Sequence, residues 1–315
     1  MIKAYLALVF LTAIFGCSRP EDSDTGSPAV IIPTDSVTPK IPADGQSYAV
    51  VQSESGLKFH TGLLKKDDKY KKVIGDAAKF LKGLQWDDGE GKKPEDDFFG
   101  GAGYDSKSRP DLSNTQFFLD ALKAAGTPAD DSAFKKAAVF VSRCQNLKSE
   151  HNQLPWAGKI NDGSFIYSAA DGGSTKTSDA PDAPLTGYGS MTYAGVKSLI
   201  YAGVGKDDKR VTEAVTWLRK NYTVEANAGM PPQLAGRGLF YYYHTMAKTM
   251  ALLGEDDFAD DKGIKHDWKT DLFRAIEKRQ GKDGSWTNPT DRWMEGDPYL
   301  VSGYMLMALS YLQPK

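Results

Sequence analysis

The sequence predicts an all-α protein of about four helix pairs, arranged as an α/α toroid or incomplete α/α barrel. Four amphipathic segments each carry a bulky pair, and glutamine or tyrosine follows five residues after its first member. A second, more apolar helical segment follows each of them. No alternating strand pattern of comparable strength competes with this helical repeat.

Residues 1–16 are typical of a bacterial lipoprotein signal peptide. Lys3 supplies a positive charge, and the apolar run after it is too short to span a bilayer. The stretch from Ile14 to Cys17 resembles a lipoprotein box, in which the cysteine is lipidated after cleavage. The alternative is an ordinary signal peptide with an incidental cysteine. We therefore expect an exported protein of the periplasm or cell envelope, held at the membrane by a lipid on Cys17.

Residues 17–55 are rich in serine, proline, aspartate and glycine and lack a helical period, which predicts a disordered tether. Residues 56–315 then form the toroid domain. The formal net charge of −2 gives no electrostatic footprint of a nucleic-acid-binding protein. The two cysteines, Cys17 and Cys144, are too few for a disulfide framework or a multi-cysteine metal site. We expect no metal, no cofactor and no nucleic-acid partner.

The first helix of each pair is predicted to lie in an outer, solvated layer, since it has one apolar stripe and many lysines. These helices contain AAKFLKGLQ, AAVFVSRCQ, AVTWLRKNY and FRAIEKRQ. The second helices are apolar on nearly all sides, which predicts an inner, buried layer. They are the segments 111–126, 187–203, 237–254 and 297–312. Asp111 and Asp297 are expected N-caps, and three of the segments end at glycine.

The motif Gln280-Gly281-Lys282-Asp283-Gly284-Ser285-Trp286 resembles the QW repeat of squalene/hopene cyclases and related terpenoid cyclases and protein prenyltransferases. The resemblance implies that Gln280 ties the end of an outer helix to the following loop, with Gly284 and Trp286 completing the motif. Looser copies follow Gln145 and Gln85. Residues 57–315 further resemble bacterial exported proteins similar to the C-terminal part of squalene cyclases, through TGYGSMTYAG, GLFYYYHTMAK and DRWMEGDPYLVSGY.

The sequence lacks the residues that carry out the best-known reactions of these families. Cyclases of this type protonate an alkene with a D-x-D-D cluster, and the chain contains no such string. Prenyltransferases hold zinc with aspartate, cysteine and histidine, whereas only Cys144 is left once Cys17 carries a lipid. The run 256–260 reads D-D-x-x-D, but an acidic solvated loop is the favoured interpretation.

Polar and aromatic groups at the starts of the inner helices would surround one mouth of a toroid and are the ligand-binding candidates. They are Tyr188, Ser190, Tyr193, Arg237, Tyr241, Tyr242, Tyr243, Arg292, Trp293 and Asp297. Weak catalytic candidates are His244, Glu295 and Asp111. Each also has a structural interpretation: a core histidine, an ion-pair partner and a helix cap.

We expect non-catalytic binding of an apolar or carbohydrate ligand, or of a protein partner. The alternative is a divergent enzyme acting in the toroid cavity, either modifying terpenoids or cleaving polysaccharides as a lyase or hydrolase.

Overall fold

The computed structural model describes residues 49–50, 59–60, 71–180 and 182–312. The chain divides into two units between Lys79 and Phe80. In the first unit, strand β1 (Ala49–Val50) pairs antiparallel with β2 (Phe59–His60). The predicted signal peptide, the lipidated Cys17 and all of the predicted tether except Ala49–Val50 lie outside the described residues.

The described residues contain nine α-helices, and the predicted all-α class is confirmed. Helix α1 (Lys71–Lys82) begins in the first unit and ends in the second. The other helices are α2 (Leu112–Ala124), α3 (Ser132–Arg143), α4 (Ala157–Ile160), α5 (Gly189–Tyr201), α6 (Lys209–Lys220), α7 (Leu239–Leu253), α8 (Trp268–Glu277) and α9 (Pro298–Leu312). Short 3-10 turns lie at Asp88–Glu90 and Ala170–Gly172.

The four apolar helices form the inner layer of the second unit. Helices α2, α5, α7 and α9 pack against one another in chain order, and α3, α6 and α8 pack onto them. The inner α5 and α7 are buried along most of their length, whereas α3 and α6 bury one face. The predicted division into an inner and an outer set is confirmed for α5, α7, α3 and α6, whereas α9 leaves Tyr299 and Leu306 exposed.

The ends of the helices follow the capping residues in the sequence. Asp111 accepts a hydrogen bond from the backbone N–H of Asn114 at the start of α2 (2.7 Å). Asp297 accepts one from Tyr299 at the start of α9 (2.8 Å). Gly126, Gly203 and Gly254 follow their helices with φ of 78°, 86° and 76°, the left-handed conformation that ends a helix at glycine.

Three glutamines that follow outer helices make the same contact. Gln85, Gln145 and Gln280 each donate their side-chain N–H to the carbonyl of a later loop glycine, at 2.9, 3.0 and 2.8 Å. Gln85 and Gln145 also donate to a carbonyl in the first turn of the next outer helix, Ala133 in α3 and Arg210 in α6. Each of these two glutamines thus holds a loop and the next outer helix together.

A β-hairpin that the sequence analysis did not predict lies between α7 and α8. Strand β3 (Asp257–Ala259) pairs antiparallel with β4 (Lys265–Asp267). Phe258 is fully buried, which anchors the hairpin. Asp256 forms an ion pair with Lys269 (2.8 Å). This acidic run is therefore part of a hairpin and its ion pairs.

Candidate functional site

Loops that precede the inner helices carry four cations and one exposed indole that are linked by electrostatic effects and contacts. We call Arg109, Lys176, Arg237, Arg292 and Trp293 the loop cluster. They precede α2, α5, α7 and α9 in the chain.

Lys176 links three of these loops electrostatically. Burial lowers the pKa of Lys176, and the positive charges of Arg109 and Arg292 lower it further. The carboxylates of Asp111 and Asp179 oppose this fall in the pKa. Its ammonium lies 4.3 Å from the centre of the Tyr167 ring. Arg237 forms an ion pair with Asp179, which precedes α5 (3.2 Å).

The tryptophan of the loop cluster is held in an unusual backbone conformation. Trp293 and Met294 have φ of 61° and 63°, a left-handed region that side chains other than glycine rarely adopt. The indole remains 37% exposed, and the Arg292 guanidinium lies 5.3 Å from its centre. A Cβ at Gly238 would come within 3.0 Å of the same ring. Residues in such conformations are often kept at binding sites.

Two of the three catalytic candidates hold helix N-termini. Asp111 caps α2 and also accepts a hydrogen bond from the side-chain amide of Asn114 (2.8 Å). Glu295 accepts hydrogen bonds from the backbone N–H of Tyr241 in α7 (2.8 Å) and from the Asn288 side chain (2.6 Å). Burial raises the pKa of both carboxyls, and these hydrogen bonds oppose the rise.

The third candidate, His244, lies in the middle of the inner layer and is nearly fully buried. Its ring stacks between Phe117 of α2 (6.0 Å) and Tyr304 of α9 (5.5 Å). Neither ring nitrogen has a hydrogen-bond partner among the described residues. Burial, together with the charges of Lys248 and Lys197, lowers the pKa of His244 to about 3.

The remaining polar candidates bond mostly to neighbouring backbone and side chains. Tyr242 and Tyr243 donate their hydroxyls to the carbonyls of Thr223 (2.7 Å) and Val224 (2.6 Å). The Tyr241 hydroxyl accepts a hydrogen bond from Gln116 (3.1 Å).

Two further candidates on α5 are also buried. Ser190 accepts a hydrogen bond from Asn227 (3.0 Å), and the Tyr193 ring packs edge-on against Tyr242. Tyr188 immediately precedes α5, and burial raises its pKa.

The glutamine–tryptophan motif makes two hydrogen bonds next to the end of α8. Gln280 bonds the carbonyl of Gly284, and the Trp286 indole N–H donates to the carbonyl of Ile276 at the end of α8 (2.9 Å). Within the described residues, no group of three or more histidine, cysteine or acidic side chains is placed to hold a metal ion.

A charged cluster that was not predicted from the sequence lies inside the inner layer. Asp120 of α2 forms ion pairs with Lys197 of α5 and Lys248 of α7, each at 2.7 Å. A signal was available in the sequence. These are isolated charges on helices that are otherwise nearly apolar, and such charges are costly to bury unless they pair.

No protein-family model matches this chain. No curated protein matches it at a significant level either.

No helix in the part of the chain that the structure describes is long and apolar enough to cross a membrane.

Proposed function

We propose that this chain is an exported, lipid-anchored binding protein whose loop cluster holds an extended anionic carbohydrate. In this proposal the helix pairs form an α/α toroid that carries the cluster. The lipoprotein-type signal and Cys17 support the anchor. The repeated glutamine contacts support the toroid, because equivalent residues fix equivalent loops along the chain.

The observation that carries the proposal is the meeting of cations from separate loops. Like charges repel, so grouping Arg109, Lys176 and Arg292 costs free energy in the absence of a ligand. The nearby carboxylates of Asp111 and Asp179 offset part of this cost. An anionic ligand would offset the remainder. Arginine is suited to carboxylate and sulfate groups because its planar guanidinium donates two parallel hydrogen bonds.

The exposed indole favours a carbohydrate among anionic ligands. Trp293 offers an apolar face beside Arg292, and a sugar ring can lie against such a face while its acidic group meets the guanidinium. The left-handed backbone at Trp293 is a strained conformation of the kind that binding sites often retain.

The roles of the candidate acids support binding over catalysis. A catalytic pair needs its acid and base within reach of one reacting group. Asp111 and Glu295 cap two different helices, and His244 has neither as a hydrogen-bond partner in the described region. These contacts therefore favour a binding protein over a divergent enzyme.

Calorimetric titration of the full chain with polygalacturonate tests the proposal, with neutral dextran as the comparison polymer. We expect binding of polygalacturonate alone, weakening as salt is added because salt screens the charges. Trp293→Ala should weaken binding about tenfold, which corresponds to about 1.4 kcal/mol. Phe273→Ala, which removes an exposed ring on the outer helix α8, is the matched control and should leave affinity unchanged.

Equal binding of both polymers would show that charge is not recognised. Binding of neither polymer would contradict the carbohydrate proposal. Native mass spectrometry of the protein extracted from its own envelope then separates the other classes, since a co-purifying lipid or protein partner would identify the ligand directly.

A further inference from the structure

The charged cluster inside the inner layer has more positive than negative side chains. We call Gln116, Asp120, Lys197, His244 and Lys248 the central cluster. Lys197 is completely buried and donates to Asp120 and to Gln116. Lys248 is 11% exposed and meets the other oxygen of Asp120, whose side chain is 13% exposed. One carboxylate thus faces two lysines.

The two lysines also carry more N–H donors than the acceptors around them can accept. Each ammonium carries three N–H groups. Lys197 uses two of them on Asp120 and Gln116, and Lys248 forms an ion pair with the other oxygen of Asp120 at 2.7 Å. Buried donors without acceptors are costly, so this arrangement favours a further acceptor at the same place.

His244 adds an unused polar group one helical turn before Lys248 on the same face of α7. Both of its nitrogens lack partners among the described residues, and it is nearly fully buried. The charges of Lys248 and Lys197 act on its ring. Because the ring is neutral, one of its nitrogens bears an N–H that can donate a hydrogen bond.

Every inner helix contributes a titratable group to this region. Asp120 comes from α2 and Lys197 from α5, while α7 supplies His244 and Lys248. The phenols of Tyr201 in α5 and Tyr311 in α9 also face Asp120, whose negative charge adds to burial in raising their pKa values. Lys123 of α2 also lies 6.0 Å from the centre of the Tyr201 ring. Among these groups of the described region, one carboxylate contacts two ammonium groups directly.

We propose that the central cluster binds one small monovalent anion, a carboxylate or a halide, between Lys197, Lys248 and His244. The anion balances the second lysine and accepts the unused N–H groups. The central cluster shares no residue with the loop cluster. The anion proposal can therefore be tested independently of the carbohydrate proposal.

Anion binding should depend on pH in a defined direction. Burial, with the charge of Lys248, lowers the pKa of Lys197 to about 7. Above that pH Lys197 is mostly neutral in the empty site. Binding of the anion then requires Lys197 to take up a proton from solvent. Affinity should therefore fall about tenfold for each pH unit above 7, as linkage of one proton requires.

The experiment measures thermal unfolding of the full chain in increasing sodium formate and, separately, sodium chloride. We expect a saturating rise in Tm at pH 6.5 and a much smaller rise at pH 8.5. The formate and chloride series distinguish a carboxylate from a halide as the preferred anion. Lys248→Met should abolish the saturating rise, because it leaves one lysine with one carboxylate.

Lys135→Met on the outer helix α3 is the matched control and should keep the full response, since it removes an exposed lysine remote in sequence from the cluster. An equal rise in Lys248→Met, or no saturating rise in the wild type with either salt, would overturn the proposal.

If Lys248→Met does not fold, NMR titration of Lys197 in the unaltered protein replaces it. Saturating formate should raise the pKa of Lys197 by at least one unit, whereas an unchanged value would overturn the proposal.

Discussion

The buried imidazole of His244 lies between two aromatic rings and has no hydrogen-bond partner in the described region. An unpaired buried polar group costs about 1–3 kcal/mol, whereas an apolar ring of similar shape can fill the same space. We expect His244→Phe to raise the free energy of unfolding by about 1 kcal/mol at pH 7 in anion-free buffer. Urea unfolding followed by circular dichroism measures the change.

The same substitution should change the response to acid. The pKa of His244 is about 3 in the folded protein and near its ordinary value of 6.5 in the unfolded chain, so the unfolded chain binds the proton first. Stability is therefore lost as the pH falls from about 6.5 towards 3. His244→Phe should lose less stability between pH 7 and pH 5 than the wild type. His151→Asn, at an exposed histidine, is the control, and an equal loss in all three proteins would contradict the prediction.

The glutamines that follow the outer helices allow the stability contributions of equivalent residues to be compared. Gln145 is buried and bonds two carbonyls, while Gln280 is exposed and, among the described residues, bonds the single carbonyl of Gly284. Gln145→Ala removes two buried hydrogen bonds and should lower the free energy of unfolding by about 2–3 kcal/mol. Gln280→Ala should cost less than about 1 kcal/mol, since water replaces the lost contact. Equal losses in urea unfolding would show that the second contact contributes nothing.

The helices themselves could be predicted from the sequence because their signals are local. An apolar stripe defines each outer helix, and the glycines after α2, α5 and α7 adopt the left-handed angles expected of them. The β3–β4 hairpin escaped prediction because each strand has only three residues. The buried Phe258 packs against residues that are distant in the sequence, such as Tyr222. A short sequence pattern does not reveal such contacts.

The candidate site was predicted only in part, for a similar reason. Arg292 and Trp293 could be singled out as polar and aromatic residues before an inner helix. The capping role of Glu295 depends on its distance to the backbone of α7, 54 residues earlier in the chain. The pairing of Asp120 with Lys197 and Lys248 likewise needs three helices to meet, and helical periodicity does not specify which helices do so.

The second unit contains direct contacts between inner helices that are not consecutive in the inner layer. These contacts should make its unfolding cooperative. Phe117 of α2 and Tyr304 of α9 both stack on His244 of α7, and Asp120 joins α2 to α7. A linear array of repeats has contacts between neighbours only, and its ends can unfold before its middle. Here the first and third inner helices touch directly, so losing one helix removes contacts from several others.

We therefore expect the second unit to unfold in a single transition. Tryptophan fluorescence and far-ultraviolet circular dichroism should give the same urea midpoint, as coincident probes do in two-state unfolding. Asp120→Asn weakens two ion pairs that join three helices, and it should move both midpoints down together by the same amount. Asp130→Asn, at an exposed position before α3, is the control and should move neither. Separation of the two midpoints in Asp120→Asn would show that the helices unfold stepwise, as in an open array.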